Sequence, residues 1–320
     1  MDELWKILQQ IAPYAIVFTI PLLITALGAL FSERSGIVNI GLEGLMVVGA
    51  FMGAFVVFRL QETMANKAAA IWIGLLAAFA AGVIFSLLHA FASINLSANQ
   101  VISGTAINML AGALTVFLSR NMTGSGNIRI QQGFLPFDIP GLSDIPVIGP
   151  LVFTKTYWTT WLILLIVAIS TFILYKTPFG LRLRSCGEHP HAAEAAGINV
   201  RGMRYIGVMI SGGFSALGGA VIIMTFSGEF SGTVSGLGFL ALAALIFGQW
   251  RPLGIVAATL FFGFASTVAN VSQVIPSLSV IPPFVLKVFP YAATLIALVL
   301  FSKTSRAPKA AGEPFDSAKR

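Results

Sequence analysis

Charge is scarce in this chain. Asp, Glu, Lys and Arg make up 10% of its 320 residues, against a hydrophobic share of 57% and a mean hydropathy of +0.89. A soluble domain carries about 25% charged residues. The depletion is not local, which excludes a soluble globular protein and points to an all-α, polytopic transmembrane helical bundle. Alternating-hydrophobicity segments of about ten residues, the mark of a membrane β-barrel, are also missing. Cysteine is nearly absent: Cys186 stands alone. That excludes an intramolecular disulfide and a cysteine-based zinc site, which typically takes about two to four such ligands. No G-x-x-x-x-G-K-[ST] occurs, so the chain carries no P-loop for ATP. Ser/His/Asp and H-E-x-x-H arrangements are lacking, as is any run of intramembrane carboxylates that would suggest a proton relay. A transporter without energy-coupling chemistry of its own needs a partner that supplies it.

What the chain does have is long apolar stretches. A membrane-spanning helix needs roughly 20 mainly apolar residues. On that basis we expect about nine spans, at 11–31, 36–58, 68–93, 101–119, 158–175, 205–226, 236–250, 253–271 and 284–302. The stretch 236–250 is short and could be re-entrant. Before the first span, Leu4, Trp5, Ile7 and Leu8 suggest a short interfacial helix. The acidic start, MDELWKILQQ, is unlike a cleaved signal peptide, which begins basic.

The densest run of charge before the C-terminal tail is 176–204, KTPFGLRLRSCGEHPHAAEAAGINVRGMR. Lys176, Arg182, Arg184, Arg201 and Arg204 outweigh Glu188 and Glu194 there. Pro190 suits a first helical position, where its missing N–H would have no intrahelical partner. Ala192-Ala193-Glu194-Ala195-Ala196 is made largely of the best helix former. Gly197 fits the left-handed residue that ends a helix. The expectation is a short water-facing helix between two membrane-embedded halves, through which a partner protein drives the membrane part.

The positive-inside tendency of Lys and Arg places 176–204 in the cytoplasm. The tail that carries Lys303, Arg306, Lys309, Lys319 and Arg320 then falls on the same side. The N-terminus, with Asp2 and Glu3, falls outside. The net charge of +7 is of this flanking kind and does not call for nucleic acid. The chain thus divides into a membrane domain, 1–302, and a basic tail, 303–320, that composition marks as disordered. The Gly/Pro/Asn-rich segment 120–156 is expected to be an external loop, either a docking site for an external partner or a connector.

Polar residues within the apolar runs are the candidates for a substrate path. In SGIVNIGLEGLMVVG (35–49), Gly36, Gly41, Gly44 and Gly49 weaken a helix, and Asn39 and Glu43 are four apart, on one face. A carboxylate inside a bilayer is costly unless paired, protonated or hydrated. Glu43 therefore either belongs to a polar patch on the path, or caps a broken helix or pairs with Arg34. Asn95, Asn99, Gln100 and Asn108 form a second polar group, which interhelical hydrogen bonding alone could explain. SGGFSALGGA (211–220) reads as a packing face. Phe226, Phe230 and Phe239 could stack on a flat ligand. His89 reads as structural. His189 and His191 lack helical metal-ligand spacing, so no metal site is expected. Gly41-Leu42-Glu43-Gly44-Leu45 has a loose echo in Gly236-Leu237-Gly238-Phe239-Leu240.

Three segments, 32–49, 177–200 and 236–254, together resemble the permease subunits of ABC importers, in the family that handles branched-chain amino acids, simple sugars and nucleosides. The resemblance covers essentially the whole membrane part and implies a type II-like importer permease with broken or re-entrant segments. In that family the loop matching 187–204 rests in a cleft of the ATPase subunit. The resemblance therefore carries ATPase coupling to Gly187, Glu188, His189, Pro190, Glu194, Ala195, Ala196, Gly197 and Arg201. The chain looks most like the nucleoside-uptake branch. The sugar branch has a Gly-Gly-Ile-Asp-Leu-Ser type stretch where this chain has Ile37-Val38-Asn39-Ile40-Gly41-Leu42-Glu43. The resemblance further implies ABC ATPase subunits that carry ATP and Mg, with no cofactor on this chain. It implies a second homologous permease, an extracytoplasmic substrate-binding lipoprotein and a bacterial cytoplasmic membrane. Simple sugars or branched-chain amino acids are the alternative substrates. The rival mechanism is a proton- or sodium-coupled secondary transporter using Glu43; an intramembrane enzyme is disfavoured by the lack of clustered catalytic residues, and a structural scaffold would not copurify with an ATPase.

Overall fold

The computed structural model describes residues 2–271 and 306–316, together with positions 284, 285, 288, 289 and 292. Ten α-helices are described: α1 (Asp2–Arg34), α2 (Leu42–Thr63), α3 (Lys67–Ala90), α4 (Gln100–Thr123), α5 (Trp158–Lys176), α6 (Pro178–Glu188), α7 (Pro190–Ala195), α8 (Val200–Ile222), α9 (Leu237–Phe247) and α10 (Pro252–Val271). Seven of these, α1–α5, α8 and α10, are long and apolar enough to cross a membrane. Most of the expected span at 284–302 lies outside the described residues. Helix α1 runs unbroken from Asp2 into the first span, with Pro13 and Pro21 inside it.

Helix α8 is the hub, because its sequence is small where neighbours press closest. A Cβ at Gly219 would land on the Met46 backbone of α2. One at Gly212 would strike Ser86 and Gly82 of α3, and one at Gly218 would meet Thr25 and Pro21 of α1. Gly49 of α2 is equally filled by the Ala216 backbone. Small residues let backbones approach where lipid offers no hydrophobic drive for association. The 211–220 run is the packing face that its composition predicted. Helices α4 and α5 leave most of their apolar surface uncovered.

The helices share two ends. At one lie the C-termini of α1, α5 and α9, the start of α8 and the α3–α4 turn, which Asn95 ties to α8 by accepting the Tyr205 hydroxyl at 2.6 Å. The 176–204 segment is at this end. At the other, the loop after α4 is ordered. Strand β1 (Ile128–Arg129) pairs antiparallel with β2 (Glu229–Phe230). The Gln61 carboxamide accepts from the Gln131 and Gln132 N–H groups and donates to the Gln132 carbonyl at 2.7 Å.

Candidate functional site

The span expected at 36–58 does not start at Gly36. Helix α1 stops at Arg34, Gly36 turns the chain with φ +100°, and α2 begins only at Leu42. Residues 35–41 are irregular backbone among helices. The ladder of contacts on α8 sets their depth. A Cβ at Gly207 would meet Ser35, and Asn39 bonds to Ser211. Ser211 is roughly 17 Å along α8 from Val200 at 1.5 Å rise per residue, so Asn39 is well inside the bundle.

Irregular backbone at that depth must satisfy every N–H and C=O without water. The polar residues do this one by one. Gln100 Oε1 accepts the Val38 N–H at 2.7 Å. The His89 Nε2 donates to the Val38 carbonyl at 3.1 Å. A carbonyl cannot donate, so Nε2 carries the proton and Nδ1 accepts from the Ser103 hydroxyl at 2.9 Å. Asn108 bridges the gap, donating to the Ile40 carbonyl at 3.0 Å and accepting the Gly44 N–H at 2.7 Å. Asn39 accepts the Gly41 N–H at 3.1 Å and donates to the Ser211 hydroxyl at 2.9 Å. Asn39, Gln100 and Asn108 are thus brought together as clamps on the break. Asn95 and Asn99 are not: both are exposed, and Asn99 caps α4 by accepting the Val101 and Ile102 N–H groups. Replacing Asn108 by Leu strands the buried Gly44 N–H and the part-buried Ile40 carbonyl, at up to about 1–3 kcal/mol each. The expected result is a clear fall in the melting temperature of the detergent-solubilised protein, larger than for Asn99→Leu at the surface.

Glu43 closes a second break. Helix α9 starts at Leu237 after Gly236, which has φ +82°. The Glu43 Oε1 accepts the Gly236 N–H at 2.8 Å and Oε2 accepts the Gly238 N–H at 2.7 Å. A carboxylate there also opposes the positive end of the α9 dipole. Gly238 is required, because a Cβ would strike the Glu43 backbone. The echo between the two Gly-Leu motifs has a physical meaning: each marks a helix start, and the two starts meet through Glu43. The stretch 236–250 accordingly holds a short helix, not a full span. Arg34 does not pair with Glu43.

Arg34 instead joins the helix ends. Its Nη2 donates to the Trp250 carbonyl at 2.7 Å, and its Nη1 lies 3.5 Å from Glu188. Beside it the Trp250 indole donates to the buried Glu33 carboxylate. Nothing in the sequence marks Glu33, since a carboxylate at the end of a span looks like an ordinary solvated flank.

The 176–204 segment folds as α6 and α7. Pro190 is the first residue of α7. Gly197 has φ +79°, and its N–H reaches the Glu194 carbonyl while that of Ile198 reaches Ala193, at 2.8 and 3.0 Å. That paired closure is the Schellman motif. Glu194, Ala195, Ala196, Gly197, His189 and Arg201 are exposed and face away from the bundle, with Pro190 half-buried. Gly187 is buried, and Glu188 is half-buried with its carboxylate turned to Arg34. A Cβ at Gly187 would collide with the Arg34 carbonyl, and Glu188 is the ion-pair partner of Arg34. The predicted coupling set therefore splits into an exposed knuckle and an inward hinge.

At the opposite end a cavity of about 550 Å³ opens between α1, the end of α8, the 228–236 connection and α10. Phe18 and Phe226 stack along one wall with centroids 5.2 Å apart, and Ser231, Thr233, Ser235 and Asn270 supply neutral polar groups. Of the three phenylalanines singled out in sequence, only Phe226 lines this cavity. Phe230 is fully buried against Phe51, and Phe239 is exposed.

Seven helices of spanning length, with two helix starts inside the bundle and a helical knuckle exposed at one end, make a multi-pass membrane protein. The family described as "Branched-chain amino acid transport system / permease component" matches residues 11–300, and the chain belongs to it. It is a multi-pass transport component, not itself an enzyme. Among curated relatives, the chain is 49% identical to the guanosine ABC transporter permease protein NupQ of Bacillus subtilis, over 99% of this chain and 100% of that one. It is 42% identical to the nucleoside ABC transporter permease protein NupC of Lactococcus lactis, over 98% of each. A second B. subtilis guanosine permease protein, NupP, is 24% identical over 80% of this chain and 70% of its own. The fold is shared with an inward-facing metal-chelate type ABC transporter at 16% identity, with a TM-score of 0.51 over 90% of this chain and 85% of the other.

Proposed function

We propose that this chain is one permease subunit of an ATP-driven ABC importer that takes up nucleosides across a bacterial cytoplasmic membrane. The observation that carries the substrate class is full-length similarity to two nucleoside permeases, at 49% and 42% identity. The outer cavity agrees with it. A nucleoside is flat and uncharged, and the cavity offers an aromatic wall with hydroxyl and amide groups and no charged side chain among its described lining. Sugars have weaker support, since a permease of Haloferax volcanii named for glucose is 36% identical over 79% of this chain, below both nucleoside permeases in identity and coverage.

In this reading the knuckle faces the cytoplasm and rests on a separate ATPase, which holds the ATP and Mg. The N-terminus is then outside. A second, unlike permease packs against the uncovered faces of this one, as the pairing of two guanosine permease names, NupP and NupQ, in one organism supports. A binding lipoprotein delivers substrate to the outer end. ATP binding moves α7, and the inward hinge at Gly187 and Glu188 carries that motion to Arg34 and to the helix ends gathered there. The breaks at Asn39 and Glu43 are where the bundle yields.

The direct test is uptake of labelled guanosine into proteoliposomes holding the whole complex. Uptake is expected to require ATP and to survive an ionophore that collapses ion gradients; loss with the ionophore but not with ATP depletion would establish the secondary-transport rival. Base stacking on an aromatic side chain is worth about 1–3 kcal/mol. Phe226→Ala should therefore raise the half-saturating guanosine concentration about fivefold or more at an unchanged maximal rate, and Phe226→Tyr should restore it. An unchanged half-saturation value in the Ala variant removes this cavity from the path.

A further inference from the structure

Composition marks 303–320 as a disordered tail, yet residues 306–316 fold as a strap against the base of the bundle. The Ala310 N–H donates to the Gly187 carbonyl at 2.9 Å, and the Gly312 N–H donates to the Gly36 carbonyl at 3.1 Å. Arg204, 1% exposed, donates from Nη1 to the Glu313 carbonyl at 3.1 Å, and its guanidinium lies 5.7 Å from the centroid of the Phe315 ring. Phe315 is buried in a small apolar cluster with Cys186 of α6, Ala193 of α7 and Val200 of α8. His191 of α7 lies against the same ring, centroids 5.2 Å apart.

These contacts have a direction. Gly187 belongs to the hinge between α6 and α7. Gly36 is the left-handed residue at which the chain leaves α1 for the break around Asn39. The strap therefore bonds the knuckle on one side and the start of the intramembrane break on the other. The fit is close at both ends. A Cβ at Gly36 would run into the Arg204 guanidinium, which the strap covers. The cleft between α7 and the strap, about 530 Å³, is lined by His189, Pro190 and His191 from one side and Lys309, Glu313 and Pro314 from the other. The outer face of the strap thus continues the exposed face of α7.

We propose that residues 306–316 form a coupling strap, a positioning element that completes the ATPase-facing surface of α7 and transmits its displacement to the α1–α2 break. This rests on the ATP-driven reading above. A loose tail would be dispensable for coupling; a strap bonded to both Gly187 and Gly36 is not.

The test uses the whole complex in proteoliposomes, measuring guanosine uptake and ATP hydrolysis together. Three variants act on different contacts. Phe315→Ala empties the apolar anchor. Gly312→Pro removes the N–H bonded to Gly36 and cannot adopt the local φ of +85°. Deletion of 306–320 removes the strap. The expected result is assembled complex that still hydrolyses ATP while guanosine delivered per ATP falls about fivefold or more, the size of a typical coupling between sites. Phe315→Leu should restore most of it. A strap that only stabilises the fold would lower the amount of complex and leave that ratio unchanged in what assembles; an unchanged ratio in Phe315→Ala and Gly312→Pro overturns the proposal, also if the deletion fails to accumulate. If the wild-type complex itself takes up guanosine without ATP, the underlying reading fails, and that outcome is seen before any variant is made.

Discussion

Replacing Glu194 by Arg is expected to cut ATP-driven uptake severely while leaving insertion and folding intact. Glu194 is exposed on α7 and makes no ion pair among the described residues, so the fold loses little. The α7 helix stays closed, because its ending depends on the Gly197 backbone rather than on the Glu194 side chain. What changes is the charge offered to a docked partner. Mispairing a charge at a protein interface costs about 2–5 kcal/mol, and each 1.4 kcal/mol is about tenfold in affinity. Uptake should fall about thirtyfold or more, with the ATPase subunit no longer copurifying in stoichiometric amount. Transport at the wild-type rate in a normally inserted variant would remove the docking role from this face of α7.

The second large effect is at Glu43. Glu43→Ala leaves the Gly236 and Gly238 N–H groups without acceptors inside the bundle, at about 1–3 kcal/mol each. It also unmasks the positive end of α9. The start of α9 should loosen, and both thermal stability and uptake should drop severely. Glu43→Gln separates a cap from a titrating site. Its carboxamide oxygen can still accept one of the two N–H groups, so stability should lie between wild type and Glu43→Ala. Because the cap needs an acceptor and not a proton, ATP-driven uptake should persist in Glu43→Gln. Complete loss of uptake at preserved stability would instead make the carboxyl group an obligatory proton or ion carrier.

The sequence displays some of this plainly. Missing charge locates the membrane helices, because a bilayer excludes ions whatever the packing. Pro190 and Gly197 locate α7, because each has a local backbone reason for its position. Gly36 and Gly41 announce a break, but not where α2 resumes; hydropathy is the same for a helix and for irregular chain of equal apolarity. The roles of Asn39, Gln100 and Asn108 were not legible. A buried amide looks the same in sequence whether it meets a substrate or a backbone carbonyl, and only the accounting of donors across α2, α3 and α4 shows that these face the break. The ion pair of Glu188 is not legible in sequence, because its partner Arg34 lies 154 residues away. The strap was hidden for a similar reason. Its composition is that of a solvated tail, and the groove that receives Phe315 is assembled from α6, α7 and α8.

ATP-driven coupling in this protein requires α7 to be the place where a separate ATPase does its work. Cys186 is a quiet background for testing this, since burial pushes its thiol up and keeps it from forming the reactive thiolate. Ala195→Cys then places a single reactive thiol on the exposed face of the knuckle. A short bifunctional thiol-to-amine reagent applied to the purified complex should join this residue to the ATPase subunit, and the yield should change when ATP is bound. No link to any nucleotide-hydrolysing chain, together with labelling of Ala195→Cys by a membrane-impermeant maleimide added outside intact cells, would contradict it.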